Sequence, residues 1–278
     1  MQPTRSEHAR SLHALLGCLL LVGTGLGGGG CTSSPEPATA TFRPTDTLTT
    51  TVGRDSALAV LSSMRRAAFD STFAALGDYT VTRSLDTEQL DTTGAVTARR
   101  HYVLRYPPGE AVGTIQRSDS TGRFRTGGLL AQVAPATSPT DRPPNLAAQI
   151  LSDDPPYVDP RTREAYRYTL GTETGPDGAP AYVVEATVRD QGTGREQSVR
   201  YARLLLDRTT RELVGLTLVR IDDGLLFSEY SRFTLRLQQL PDGTWVPAES
   251  RVRAYLHVLF RAPRYFRTVS TFSDYTDS

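Results

Sequence analysis

In "EYSRFTLRLQQL", Phe233, Leu235 and Leu237 alternate with Arg232, Thr234, Arg236 and Gln238. A period of two predicts a β-strand with one apolar and one wet face. "WVPAESRVRAYLHVLFRA" repeats the pattern: Val246, Val252, Ala254, Leu256, Val258 and Phe260 fall on one face, Glu249, Arg251, Arg253, His257 and Arg261 on the other. "YARLLLD" and "ELVGLTLVRI" instead carry apolar residues in succession, as strands covered on both faces do. Upstream the period changes. In "DSALAVLSSMRRAAFDSTFAALG", Leu58, Leu61, Met64, Ala68, Phe69, Phe73 and Leu76 recur at three- and four-residue spacing. This predicts an amphipathic helix, capped by Asp55 and stopped by Gly77. Its polar face is not strongly basic, so it is expected to cover the sheet rather than to lie on a membrane.

After Gly77, strand-length segments are separated by "DTTG", "DSTG", "GPDG", "QGTG", "DRTT", "IDDG" and "PDG". Such turn signals between apolar runs predict an antiparallel meander. The region Ala134–Pro160 breaks the texture, because its proline clusters exclude central strands. "NLAAQILSDD" within it fits a short helix capped by Asn145, and 134–160 is expected to be an insertion or lid rather than a domain boundary. The expected fold is mainly β (α+β): one large curved antiparallel sheet, half-open, covered by the N-terminal helix and a short lid helix.

The first 30 residues read as a signal peptide: Arg5 and Arg10 precede an apolar run from Leu12 to Leu26. A spanning helix needs about 20 apolar residues, and this shorter run dissolves into glycines. Cys31 follows Gly28, Gly29 and Gly30, and no cysteine comes after it, so it has no internal disulfide partner. From Thr32 to Gly53 the chain is rich in Thr, Ser and Pro, the composition of an extended tether. The expected organisation is therefore a signal peptide at 1–30, Cys31 and a tether over 31–53, and a folded domain at 54–278.

Charge and chemistry narrow the field. Formal net charge is +1, and all 31 basic residues are arginine. That balance excludes a general nucleic-acid binder. His101 and His257 are the only histidines after Cys31, no Gly-x-Ser-x-Gly elbow exposes a nucleophile, and no Gly-x-x-x-x-Gly-Lys cradle is present. A zinc site needs more closely spaced ligands. Asp153–Asp154 and Asp222–Asp223 stand in Pro- or Gly-flanked stretches where aspartate favours turns. No catalytic residue, metal or cofactor is expected.

Two resemblances sharpen the expectation. "GGGGC" resembles the lipobox of bacterial lipoproteins, although Gly28 stands where leucine is usual. It implies lipidation of Cys31, and Thr32 at the retention position implies delivery to the outer membrane, facing the periplasm. The second lies in the last third of the chain. The aspartate-turn hairpin from Asp207 to Arg211, "PDGTWVP" (Pro241 to Pro247) and the closing "FSDY" (Phe272 to Tyr275) resemble the LolA/LolB-like lipoprotein-sorting and RseB-like superfamily. That likeness implies an incomplete β-barrel whose apolar cavity holds lipid or the acyl chains of a lipoprotein. Candidate wall residues are Phe227, Phe233, Leu235, Leu237, Trp245, Leu256, Val258 and Phe260, which could equally form a filled core, with Trp245 plugging one end. The resemblance also admits an RseB-like module that recognises an envelope protein; an envelope hydrolase is the weaker alternative.

Overall fold

The computed structural model describes residues 53–64, 77–124, 155–189, 199–223, 227–260 and 262–277, for 222, 223 and 227 the backbone alone. Among the described residues, one helix, α1 (Arg54–Ser62), precedes ten strands: β1 (Tyr79–Leu90), β2 (Val96–Tyr106), β3 (Thr114–Gly122), β4 (Tyr166–Thr174), β5 (Pro180–Val188), β6 (Val199–Asp207), β7 (Leu213–Asp223), β8 (Phe227–Gln239), β9 (Trp245–Val258) and β10 (Arg264–Asp277). A short 3-10 turn at Arg163–Ala165 leads into β4. The strands form a single sheet in the order β3-β2-β1-β10-β9-β8-β7-β6-β5-β4. β1 pairs antiparallel with both β2 and β10, which places the first strand beside the last. The two edges are therefore β3 and β4, strands that are consecutive in the chain but not paired with each other. The result is a large antiparallel sheet that does not close, a half-open barrel. The connection between its edges contains the predicted 134–160 insertion, of which residues up to 154 lie outside the described residues.

Turn chemistry accounts for most of the meander. Asp91, Asp177, Asp207 and Asp242 each accept backbone N–H groups two to four residues on, closing the β1–β2, β4–β5, β6–β7 and β8–β9 turns. Gly94, Gly178 and Gly243 supply the positive φ in three of those turns, and Arg211 (φ 61) adopts it in the β6–β7 turn. Two predicted turns are strand instead. "DSTG" is the end of β3, paired with Ala98–His101, and Asp222–Asp223 are the last residues of β7, opposite Glu229 and Ser228. In both places cross-strand pairing overrides the local preference. "QGTG" lies outside the described residues.

The helix differs from expectation at both ends. Gly53, not Asp55, occupies the N-cap position, and no side chain caps it; Asp55 sits in the first turn, favourably placed against the helix dipole. The helix ends at Ser62 instead of continuing to Gly77. Ser62 and Ser63 turn their hydroxyls back onto the carbonyls of Ala59 and Val60, a local alternative to further helix. Residues 65–76 lie outside the described residues. Ala57 and Leu61 are buried in one core with Tyr166, Tyr168, Val184, Ala186, Leu204 and Leu216, so α1 covers the sheet near its β4 edge. A second, smaller core joins Val81, Leu85, Leu104, Tyr106 and Phe272 on β1, β2 and β10.

Strands β6 and β7 are covered on both faces, as their unbroken apolar runs predict: Leu204, Leu216 and Leu218 join the helix-side core, while Tyr201, Thr217 and Val219, pointing the other way, are buried too. β5 is buried on both faces as well. Val184 and Ala186 join the helix-side core, while Val183 and Glu185, pointing the other way, are buried too.

Candidate ligand-binding face

The register assigns each residue to a face. On the helix side, one row crosses all ten strands from β4 to β3: Tyr168, Ala186, Ala202, Leu218, Phe233, Val252, Thr268, Thr87, Arg100 and Ser120. The next row reads Leu170, Val184, Leu204, Leu216, Leu235, Ser250, Ser270, Leu85, Tyr102 and Ser118. Polarity thus changes along the sheet: aliphatic and aromatic from β4 to β8, mixed with hydroxyl groups from β9 onward.

Along this face, burial separates two zones. Leu235, Leu237 and Trp245 are packed into the main core beneath α1's side of the sheet. Trp245 sits beside the β8–β9 turn, at one end of the sheet. Phe233 is half-buried against that core, and Val252, Ala254, Leu256, Val258 and Phe266 on β9 and β10 are half-buried as well. These middle strands carry apolar side chains that the described helix does not cover. Phe227 pairs with Val258 at the far end; its side chain is outside the described residues.

Two of the expected positions move. Phe260 is not on the strand face but in the β9–β10 turn, 95% exposed. Val246 does not share a face with Val252, because Arg236 pairs with Glu249 while Leu237 pairs with Pro247, leaving Ala248 unpartnered. One extra residue reverses the alternation, a β-bulge that also accommodates Pro247. Simple alternation cannot register an insertion of one. The turn at Leu259–Phe260 had no Gly, Asn or Asp to announce it.

The polar half holds a buried arginine that sequence reasoning did not single out. Arg83 donates from Nε and Nη2 to Ser270 Oγ (3.2 and 3.1 Å) and from Nη1 to Tyr106 Oη (3.4 Å), with its guanidinium 5.7 Å from the Phe272 ring. Its signal was its place: an odd-numbered β1 position between Val81 and Leu85, on the apolar parity.

The outer face is ionic. His101 Nδ1 lies 3.1 Å from Asp86 Oδ1, and Arg99 reaches the same oxygen at 2.9 Å. Partial burial works to raise the Asp86 carboxyl, but Arg99 and His101 hold it below the usual range. His257 pairs across from Ser228, remote from this cluster in the register. Among the described residues no His, Cys, Asp and Glu side chains converge as metal ligands.

No family model matches the sequence, and no curated protein does. Among solved structures, the chain is similar to a domain assigned as an outer-membrane lipoprotein-sorting protein from Vibrio parahaemolyticus, at 11% identity and a TM-score of 0.30, covering 81% of this chain and 93% of that one. It is also similar to a DUF1329 family protein from Desulfovibrio piger, at 14% identity and a TM-score of 0.28, covering 81% and 92%. A LolA superfamily protein from Nitrosomonas europaea gives 14% identity and a TM-score of 0.24, covering 82% and 94%. The fold itself is one antiparallel sheet, its first strand paired to its last, open between β3 and β4 among the described residues, with a helix against one face.

Proposed function

We propose that this chain is a lipoprotein of the cell envelope, anchored through Cys31 to the outer membrane, whose helix face binds an acyl chain of a lipid or of another lipoprotein. The observation that carries the reading is the half-buried apolar strip of Phe233, Val252, Leu256, Val258 and Phe266, beside the packed core and inside a sheet with an open side. A concave apolar surface is what an acyl ligand needs, and each methylene it buries contributes about 0.8 kcal/mol. Binding requires no catalytic residue. The cysteine after four glycines and the Thr/Ser/Pro stretch behind it fit an anchor and a tether. Phe227 belongs to the strip by register.

Purification of the chain followed by lipid extraction and mass spectrometry tests the binding. Co-purifying acyl lipid, displaced when Phe233→Asp or Leu256→Asp is introduced, supports it; a ligand-free protein that ignores fatty-acid probes defeats it. The anchor is tested separately. A diacylglyceryl mass on Cys31, and release from the membrane fraction in Cys31→Ala, are the expected results.

A further inference from the structure

The outer face contains an arrangement that neither fold stability nor acyl binding explains. One outer row reads Val219, Arg232, Arg253, Arg267, Glu88, Arg99 and Thr121 from β7 to β3. Three arginines thus stand directly opposite one another on β8, β9 and β10. Like charges in such positions are destabilising, and neighbouring strands hold them only about 4.8 Å apart at the backbone. Arg267, at one end, is neutralised by Glu88 on β1. The next row places Thr234 beside Arg251, and the one after it Arg236 beside Glu249. Glu249 is taken by Arg251, which contacts it through Nε at 2.7 Å and Nη2 at 2.8 Å. Among the described residues, neither Arg236 nor Arg253 has a carboxylate within ion-pair distance.

These side chains line one depression. Its volume is about 310 Å³, and its lining is Arg232, Thr234, Arg236, Glu249, Arg251 and Arg253, four cations against one anion. Toward β10 and β1 the added charges cancel: a neighbouring hollow of about 360 Å³, which shares Arg251 and Arg253, adds Arg267 and Arg99 together with Asp86 and Glu88. The excess is therefore local to β8 and β9 on a chain whose formal net charge is only +1. Guanidinium forks match phosphate oxygens in pairs, which ammonium groups do not.

The geometry points to an anion-binding site across Arg232, Arg236 and Arg253 that takes a phosphate-bearing ligand, free or as a lipid headgroup. It is a site on the face opposite the acyl strip and stands independently of that reading. Arg253 at one end and Arg236 two rows away supply the unneutralised donors. Arg251, fixed by Glu249, borders the site.

Calorimetric titration of the full chain at fixed ionic strength tests it, with inorganic pyrophosphate and with a water-soluble short-chain phosphatidic acid as probes and Arg161→Ser as control, an exposed arginine paired with Asp159 outside this depression. Saturable binding weakened at least tenfold in Arg253→Ser and in Arg236→Ser, and unchanged in the control, is the expected result. Equal affinity for both probes identifies a free phosphate compound. Tighter binding of the phosphatidic acid with the same arginine dependence identifies a lipid headgroup. Absence of binding by both probes overturns the proposal, and so does binding indifferent to both substitutions. Phe233→Asp separates the two faces: it removes acyl lipid from the helix side and leaves pyrophosphate binding intact.

Discussion

Tyr201 donates its phenolic proton to Glu185 Oε1 at 2.7 Å, both residues being almost fully buried on the outer side of β5 and β6. Arg203, directly across from Glu185, lies 3.5 Å away through Nε and also pairs with Glu173. The carboxylate is buried together with its partners. Tyr201→Phe removes one of them while keeping the ring, so the cost is that of an under-satisfied buried acceptor, about 1–3 kcal/mol. A lower urea midpoint at unchanged slope is the expected measurement; an unchanged midpoint would show that Arg203 and Thr169 satisfy Glu185 without the phenol.

Buried phenols also set an alkaline limit. Burial pushes the Tyr168 hydroxyl up from 10.0 to about 12, and Tyr166, Tyr201 and Tyr275 move further in the same direction for the same reason. Tyr168 donates to the carbonyls of Tyr157 and Arg163, contacts a phenolate would lose. Because the folded state keeps protons that the unfolded chain releases, stability is fully present below about pH 10 and falls as pH rises toward 12. Unfolding monitored together with tyrosinate absorbance is expected to show both changes in one transition. Ionisation of all tyrosines well before unfolding would refute it.

The helix is a single-sided device. Only Ala57 and Leu61 of α1 are fully buried, and they meet β4 and β5 near the sheet's edge. Leu61→Ala is expected to cost about 2–5 kcal/mol, with the larger part of the loosening confined to α1 and its neighbours. Hydrogen exchange should accelerate at Ala57–Ser63 and along β4 before it does on β1 and β10. Uniform acceleration would mean that the two cores unfold as one.

Much of this architecture is legible in the sequence, and the exceptions have identifiable causes. The period-two runs of β8 and β9, the doubly covered β6 and β7 and the Asp-based turns all follow from local chemistry. Strand pairing over long distance does not: nothing in "YTVTRSLDTEQL" announces that β1 joins β10. Ala248 shows how one unpaired residue moves Val246 to the other face. The helix stop at Ser62 was hidden because the apolar spacing continues beyond it, while two adjacent serines bond backward. Of the candidate cavity residues, periodicity could group Phe233 with Leu235 but could not tell a half-covered position from a packed one. That distinction depends on where α1 stops.

Gly122 closes β3 at φ +70, and a Cβ there would overlap the Thr97 carbonyl oxygen while lying 2.9 Å from Ala98 Cα. Neither contact is the movable end of a side chain. Gly122→Ala therefore combines left-handed strain with a backbone clash, and the expected loss exceeds about 1 kcal/mol. β3 is an edge strand, so the damage should appear as faster exchange in β2 and β3 with β6 and β7 unaffected.

Phe260 presents the opposite situation. A bulky non-glycine residue at φ 63 bears a left-handed strain of about 1–2 kcal/mol, and its ring, 95% exposed, returns little packing for it. Asparagine tolerates that conformation without the chain entropy that glycine adds to the unfolded state. Phe260→Asn should therefore raise stability by up to about 1 kcal/mol, whereas Phe260→Val, stiffer at χ1, should lower it. Thermal unfolding of the two variants separates the explanations. A gain in Phe260→Asn with a loss in Phe260→Val identifies backbone strain, and a loss in both would mean that the exposed ring packs in solution against something that the turn itself does not provide.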